Sequence, residues 1–119
     1  MAPKPKKTTT KVAKSSLVVW VSDLHAGSTV SACVPEFELS EGSVWRASTI
    51  QSALYDDLQS FCELTKNEAQ GKRLVVLLGG DLADGPHHHM SLQTLGTDED
   101  QVNLAVQMLL PFANMADEM

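Results

Sequence analysis

Two five-residue apolar runs, Leu17-Val18-Val19-Trp20-Val21 and Leu74-Val75-Val76-Leu77-Leu78, constrain this chain more than any other feature. Each is short, rich in β-branched residues and continuous rather than alternating, the pattern of a strand buried on both faces of a parallel sheet. Between them Ile50, Leu54, Leu58, Phe61, Cys62 and Thr65 recur at intervals of three and four. The period changes from Trp45, and that spacing makes one apolar stripe on a helix ending near Gly71. Strand, helix, strand is a βαβ unit, whose right-handed crossover puts both strands in one parallel sheet. Adjacent strands lie about 5 Å apart, so whatever follows each run is delivered to a common sheet edge.

The remainder is less regular. Residues 22–43 are polar and glycine-containing, carry Pro35 and have no sustained period, which reads as a long loop over the strand ends. A second helix has a clear start: Thr97 can cap it, with Asp100 three residues on as in a capping box, and Asp98 and Glu99 favour the positive helix end. Its expected buried face is Val102, Val106, Leu109, Leu110 and Ala113, with Pro111 kinking or ending it. Trp20 and Trp45 read as core anchors, and Met90, Met108, Met115 and Met119 as packing residues. No third strand is evident before Met119, so a two-stranded sheet would expose its edges. The expectation is a partial α/β domain over 17–119 that self-associates or needs a missing C-terminal half.

Charge separates the chain into two parts. Lys4, Lys6, Lys7, Lys11 and Lys14 cluster before Ser15; beyond it four basic side chains face fifteen acidic ones, a formal −11 within a total of −6. The front segment, 1–16, is expected to be a disordered basic tail, a solubilising extension or a contact for nucleic acid or another acidic partner. The acidic body repels phosphate unless a cation reverses the local sign. Cys33 and Cys62 form no CxxC pair and read as reduced, partly buried thiols. No run approaches the roughly 20 apolar residues of a membrane span, and LVVWV is too short for an export signal, so a cytoplasmic protein without a membrane partner is expected.

The strand ends carry the chemistry. The first run leads through Ser22 into Asp23-Leu24-His25, and residues i and i+2 at a strand end point to one side. The second leads through Gly79-Gly80 into Asp81, and open α/β sheets bind ligands outside the carboxyl ends of their strands. Two carboxylates and an imidazole make a mixed O/N donor set suited to Mn, Fe, Zn or Ni. Gly79 and Gly80 would let the backbone approach the cluster and take a turn closed to bulkier residues. Asp84, three residues past Asp81, is placed to orient a ligand. One of His87, His88 and His89 could approach the ion, the alternative being a polar loop facing substrate or solvent. Ser28 and Thr29 read as turn residues rather than phosphate contacts.

The stretches SDLHAGS and GGDLADG resemble the D-x-H and G-D-x-x-D motifs of the calcineurin-like metallophosphoesterases, in wording close to forms carried by phage and prophage genomes. The resemblance covers about 17–119, the first half of a family domain, and implies a βαβα unit from an α-β-β-α sandwich. It implies that Asp23 and His25 bind one metal, that Asp81 bridges two, and that phosphomonoesters or phosphodiesters are hydrolysed by metal-activated water. Asp84 matches the second acidic residue of G-D-x-x-D. The later G-N-H-[DE] and G-H-x-H motifs do not occur in these 119 residues. One weak metal site and impaired hydrolysis in isolation are therefore expected of a truncated domain; the alternative is a catalytically inactive metal-binding or interaction module.

Overall fold

The computed structural model describes residues 15–85 and 96–119. The basic tail through Lys14 and the three histidines His87, His88 and His89 lie outside the described residues. In chain order the elements are β1 (Ser16–Val21), β2 (Glu36–Glu38), β3 (Val44–Arg46), α1 (Thr49–Glu68), β4 (Arg73–Leu78) and α2 (Asp98–Met115). β1 and β4 pair in parallel, from Ser16 opposite Arg73 to Val21 opposite Leu78, and β2 pairs with β3 in a small antiparallel hairpin. Among the described residues the architecture is thus an alternating α/β arrangement with two small sheets, and nothing in it forms a full sandwich. No helix among the described residues is long and apolar enough to cross a membrane.

One face of the β1–β4 sheet is covered. Val19, Val21, Leu74 and Val76 are buried with Leu109 and Phe112 of α2. A second cluster joins the long loop to the same helix: Ala26, Ala32, Cys33 and Phe37 pack on Leu104, Ala105 and Met108. Leu24 and Leu58 touch both clusters, so the core is continuous. Burial on both faces, expected from the unbroken apolar runs, is not found. Val18 is 57% exposed and Trp20 70%, so Trp20 is no core anchor. The runs are apolar throughout, but only alternate residues reach the helices, because side chains alternate across a strand.

Each helix buries only part of its expected face. In α1, Thr65 is buried and Leu58 and Cys62 pack against the core as expected, but Ile50, Leu54 and Phe61 are exposed and Gln51 is buried instead. In α2, Val102, Val106 and Leu110 are exposed, and the buried face is Gln101, Leu104, Ala105, Met108, Leu109 and Phe112. Apolar residues occur all around α2, so periodicity alone had no preferred face. Pro111 stays inside the helix, which continues to Met115. The 22–43 region is not a featureless loop, since it holds β2 and opens the hairpin to β3, which takes Trp45 and delays the start of α1. The chain also returns to its sheet: Glu118 bridges Val75 in parallel, Val76 N–H donates to Glu118 O (2.9 Å) and Asp117 N–H to Leu74 O (2.9 Å). Arg73 pairs with Glu118 beside it.

Caps set where the helices begin. Ser48 and Gln51 form a capping box on α1, and Thr97 and Asp100 form the expected one on α2. Asp100 does more than cap. Its Oδ1 accepts the Ser40 N–H (2.7 Å) and its Oδ2 the Thr97 N–H (3.0 Å), tying the β2–β3 hairpin to α2. The Thr97 backbone N–H, with further bonds from Ser40, outweighs burial and holds the Asp100 carboxyl below the ordinary aspartate range.

Two outcomes follow from this packing. Leu104→Ala should cost roughly 2–5 kcal/mol in urea unfolding, whereas Val106→Ala should stay within about 0.5 kcal/mol of wild type. Because the folded pKa of Asp100 is depressed, its stabilisation is fully present above the ordinary value of 3.8 and is lost as pH falls through the lower folded value. The urea midpoints of wild type and Asp100→Asn should therefore converge as pH drops through that window; a gap independent of pH would contradict the assignment.

Candidate metal centre

Beyond the last strand pair the two chains do not part. Gly79 N–H donates to Val21 O (2.8 Å), Asp23 N–H to Gly80 O (3.0 Å), His25 N–H to Asp81 O (2.9 Å) and Ala26 N–H to Leu82 O (2.9 Å). Asp84 N–H returns a bond to Ala26 O (2.9 Å). The strand-end loops are thus laced together residue by residue, and Asp23, His25 and Asp81 converge as their positions suggested. Their ligand atoms all lie within 4.8 Å of one another.

Convergence is not achieved by simple alternation along a strand. Asp23 (φ 56°), His25 (φ 46°) and Asp81 (φ 54°) all adopt the left-handed backbone region, and among the described residues they are the only non-glycine residues to do so. That region disfavours a residue with a Cβ by about 1–2 kcal/mol, although Asp, Asn and His enter it more readily than others. Strain of this kind persists only where the surroundings enforce it, and it gathers at functional sites. The conformation turns alternate residues inward at a loop that no longer follows a pleat.

His25 is oriented from both ring nitrogens. Nε2 lies 3.8 Å from Asp23 Oδ1, within the cluster, while Nδ1 lies 3.3 Å from Asp84 Oδ1 on the other side. The Asp84 side chain is only 12% exposed, and a carboxylate on the far nitrogen fixes the orientation of the ring. Asp23 and Asp81 are exposed and His25 half-buried, so the cluster opens to solvent. Ser22 Oγ donates to Asp23 Oδ2 (2.5 Å), holding that carboxylate at the rim. Two oxygens and one nitrogen around an open position fit one hard or borderline divalent ion, with room for water in the remaining positions.

Other expected roles change. A side chain at Gly79 would collide with Trp20 and Ser22, so this glycine makes room for the indole lying across it rather than for the cluster. Gly80 meets open space, and neither glycine takes the left-handed conformation. Ser28 is a turn residue: its N–H donates to His25 O (2.9 Å) and its Oγ accepts the Val30 N–H (3.3 Å). Burial pushes the Cys33 thiol up to about 11, and raises Cys62 as well, with Glu63 adding to the shift, so neither is a ready thiolate ligand.

Two supporting residues had no place in the sequence reading. Gln51, fully buried, accepts from Trp45 Nε1 (3.0 Å) and donates to Ser28 O (3.1 Å), joining the hairpin to the loop that follows His25. Gln101, 3% exposed, accepts the Gly85 N–H at 2.8 Å. Its signal in the sequence was its spacing: Gln101 extends the Leu104, Ala105, Met108 and Phe112 face backward by one turn.

No protein-family model, no curated protein and no solved structure matches the chain.

The backbone reading has its own test. At Asp23, His25 and Asp81 the glycine variant should be more stable than the alanine variant by about 1 kcal/mol, the sign expected for left-handed positions. Urea unfolding in EDTA measures the order; alanine above glycine at all three would contradict it.

Proposed function

We propose that this chain is a divalent-metal-binding module whose single ion is held by Asp23, His25 and Asp81. The observation that carries the reading is the coincidence of two features in the same three residues. They are the described cluster of potential ligands, and they are the described non-glycine residues held in the left-handed region. Asp84 serves as the orienting partner of His25, and the open face leaves the ion weakly enclosed.

The finer reading is hydrolysis of a phosphate ester. It rests on the resemblance of SDLHAGS and GGDLADG to the phosphoesterase motifs, and on their position at the ends of paired parallel strands. A bound divalent ion would supply a more acidic water and offset charge on the phosphoryl oxygens. The chain's own residues bind and orient: Asp81 and Asp23 bring negative charge to the ion, and Asp84 holds the imidazole of His25 with Nε2 toward the cluster. No residue among those described is assigned to protonate a leaving group, so binding without appreciable turnover is the form favoured for the isolated chain.

Calorimetric titration with Mn²⁺ and Zn²⁺ should find about one ion per chain. Asp84→Asn should weaken binding by about tenfold, as loss of an orienting partner does, and Asp81→Asn by more than that. Aryl phosphate esters should turn over slowly or not at all. Two tightly held ions with fast metal-dependent hydrolysis would overturn the single-site reading, and no binding by the folded chain would overturn the metal reading altogether.

A further inference from the structure

We infer that Gln101, on the first turn of α2, is a positioning residue that locks the two loops of the metal centre against each other; the inference rests on the metal-binding reading. The paired loops run in step from Asp23 beside Gly80 to Ala26 beside Leu82 and Asp84. One residue further on, both chains reach a glycine in the left-handed region, Gly27 (φ 99°) and Gly85 (φ 68°). Gln101 meets both. Its Oε1 accepts the Gly85 N–H at 2.8 Å. Its methylenes occupy the space a side chain at Gly27 would need: a Cβ there would overlap Gln101 Cγ and sit 2.9 Å from Cδ.

The placement is specific. Gly27 lies two residues from the ligand His25, and Gly85 directly follows Asp84, the carboxylate on His25 Nδ1. A long polar side chain in an otherwise apolar helix face is costly to bury without partners, and here its amide oxygen is used to hold a loop. Gln101 is not itself one of the three clustered ligands. It acts by fixing the far ends of the segments that hold them in strained conformations, which the backbone would otherwise relax. The absence of a side chain at Gly27 is what lets it reach that position.

The test uses the full chain and cobalt(II) alone as probe, with three variants. Gln101→Met keeps the methylenes against Gly27 but removes the acceptor for Gly85; Gly27→Ala displaces Gln101 from the opposite side and, at φ 99°, also strains its own backbone. Asp117→Ala, which removes the carboxylate that accepts the Leu74 N–H (2.7 Å) at the far end of β4 from both loops, controls for lost stability. Gln101→Met and Gly27→Ala should each weaken Co²⁺ binding by about tenfold, shift its visible absorption, and combine less than additively because they break one contact. Amide exchange at Gly85 should accelerate in metal-free Gln101→Met. Asp117→Ala should lower the unfolding midpoint yet leave Co²⁺ affinity and spectrum unchanged at a temperature where it is folded. Wild-type affinity and spectrum in Gln101→Met, unaltered Gly85 exchange, or equal losses in Asp117→Ala would overturn the positioning role while leaving the metal site standing. A folded wild type that binds no Co²⁺ would overturn both.

Discussion

The level pairing of β1 with β4 is the constraint on which everything else depends. With Val21 opposite Leu78, the two strands end together and their loops leave at the same height. The lacing that follows, from Gly79 to Val21 and on to Ala26 with Asp84, is possible only from that start. A slip of one residue would exchange the faces of a strand, turning Val19 and Val21 away from α2 and Trp20 toward it. It would also move Asp81 past Asp23 and His25. The apolar packing of Val19, Val21, Leu74 and Val76 on Leu109 and Phe112 therefore specifies the site, although none of these side chains is part of it.

Stability and function are set against each other at the loop ends. Three residues with side chains occupy a backbone region better suited to glycine, and three carboxylates, Asp23, Asp81 and Asp84, gather about one imidazole. The surroundings compensate with polar ties rather than with more apolar burial. Gln51 fixes the loop after His25, Asp100 fixes the hairpin to α2, and Gln101 closes the two glycine exits. Each tie comes from the first turn of a helix, and Gln51 and Asp100 also complete the capping boxes that start those helices. Helix initiation and loop placement are thus the same set of hydrogen bonds.

The sequence disclosed those parts that depend on local chemistry. The two apolar runs, the parallel pairing, the Thr97–Asp100 cap and the convergence of Asp23, His25 and Asp81 could all be read from residue type and spacing. What it concealed depends on which partner a surface meets. Trp20 and Val18 are as apolar as Val19, but they lie on the uncovered face; Val106 is as apolar as Leu104, but points away from the loop cluster. The hairpin escaped because three-residue strands in a polar stretch show too little alternation to stand out. The return of Asp117 and Glu118 to β4 escaped because backbone pairing at an edge needs no apolar signature. Gly79 carried a correct signal of close approach with the wrong neighbour assigned to it.

At the centre of this account is His25, set between Asp84 on one nitrogen and the ligand cluster on the other. The most direct measurement is ¹⁵N-edited NMR of the His25 ring as Zn²⁺ is added to the full chain. The account predicts that Nε2 takes on the shift of a metal-bound nitrogen while Nδ1 keeps its proton facing Asp84, and that Asp84→Asn loosens this preference. An imidazole that ignores the ion, or binds it through Nδ1, would contradict the central claim.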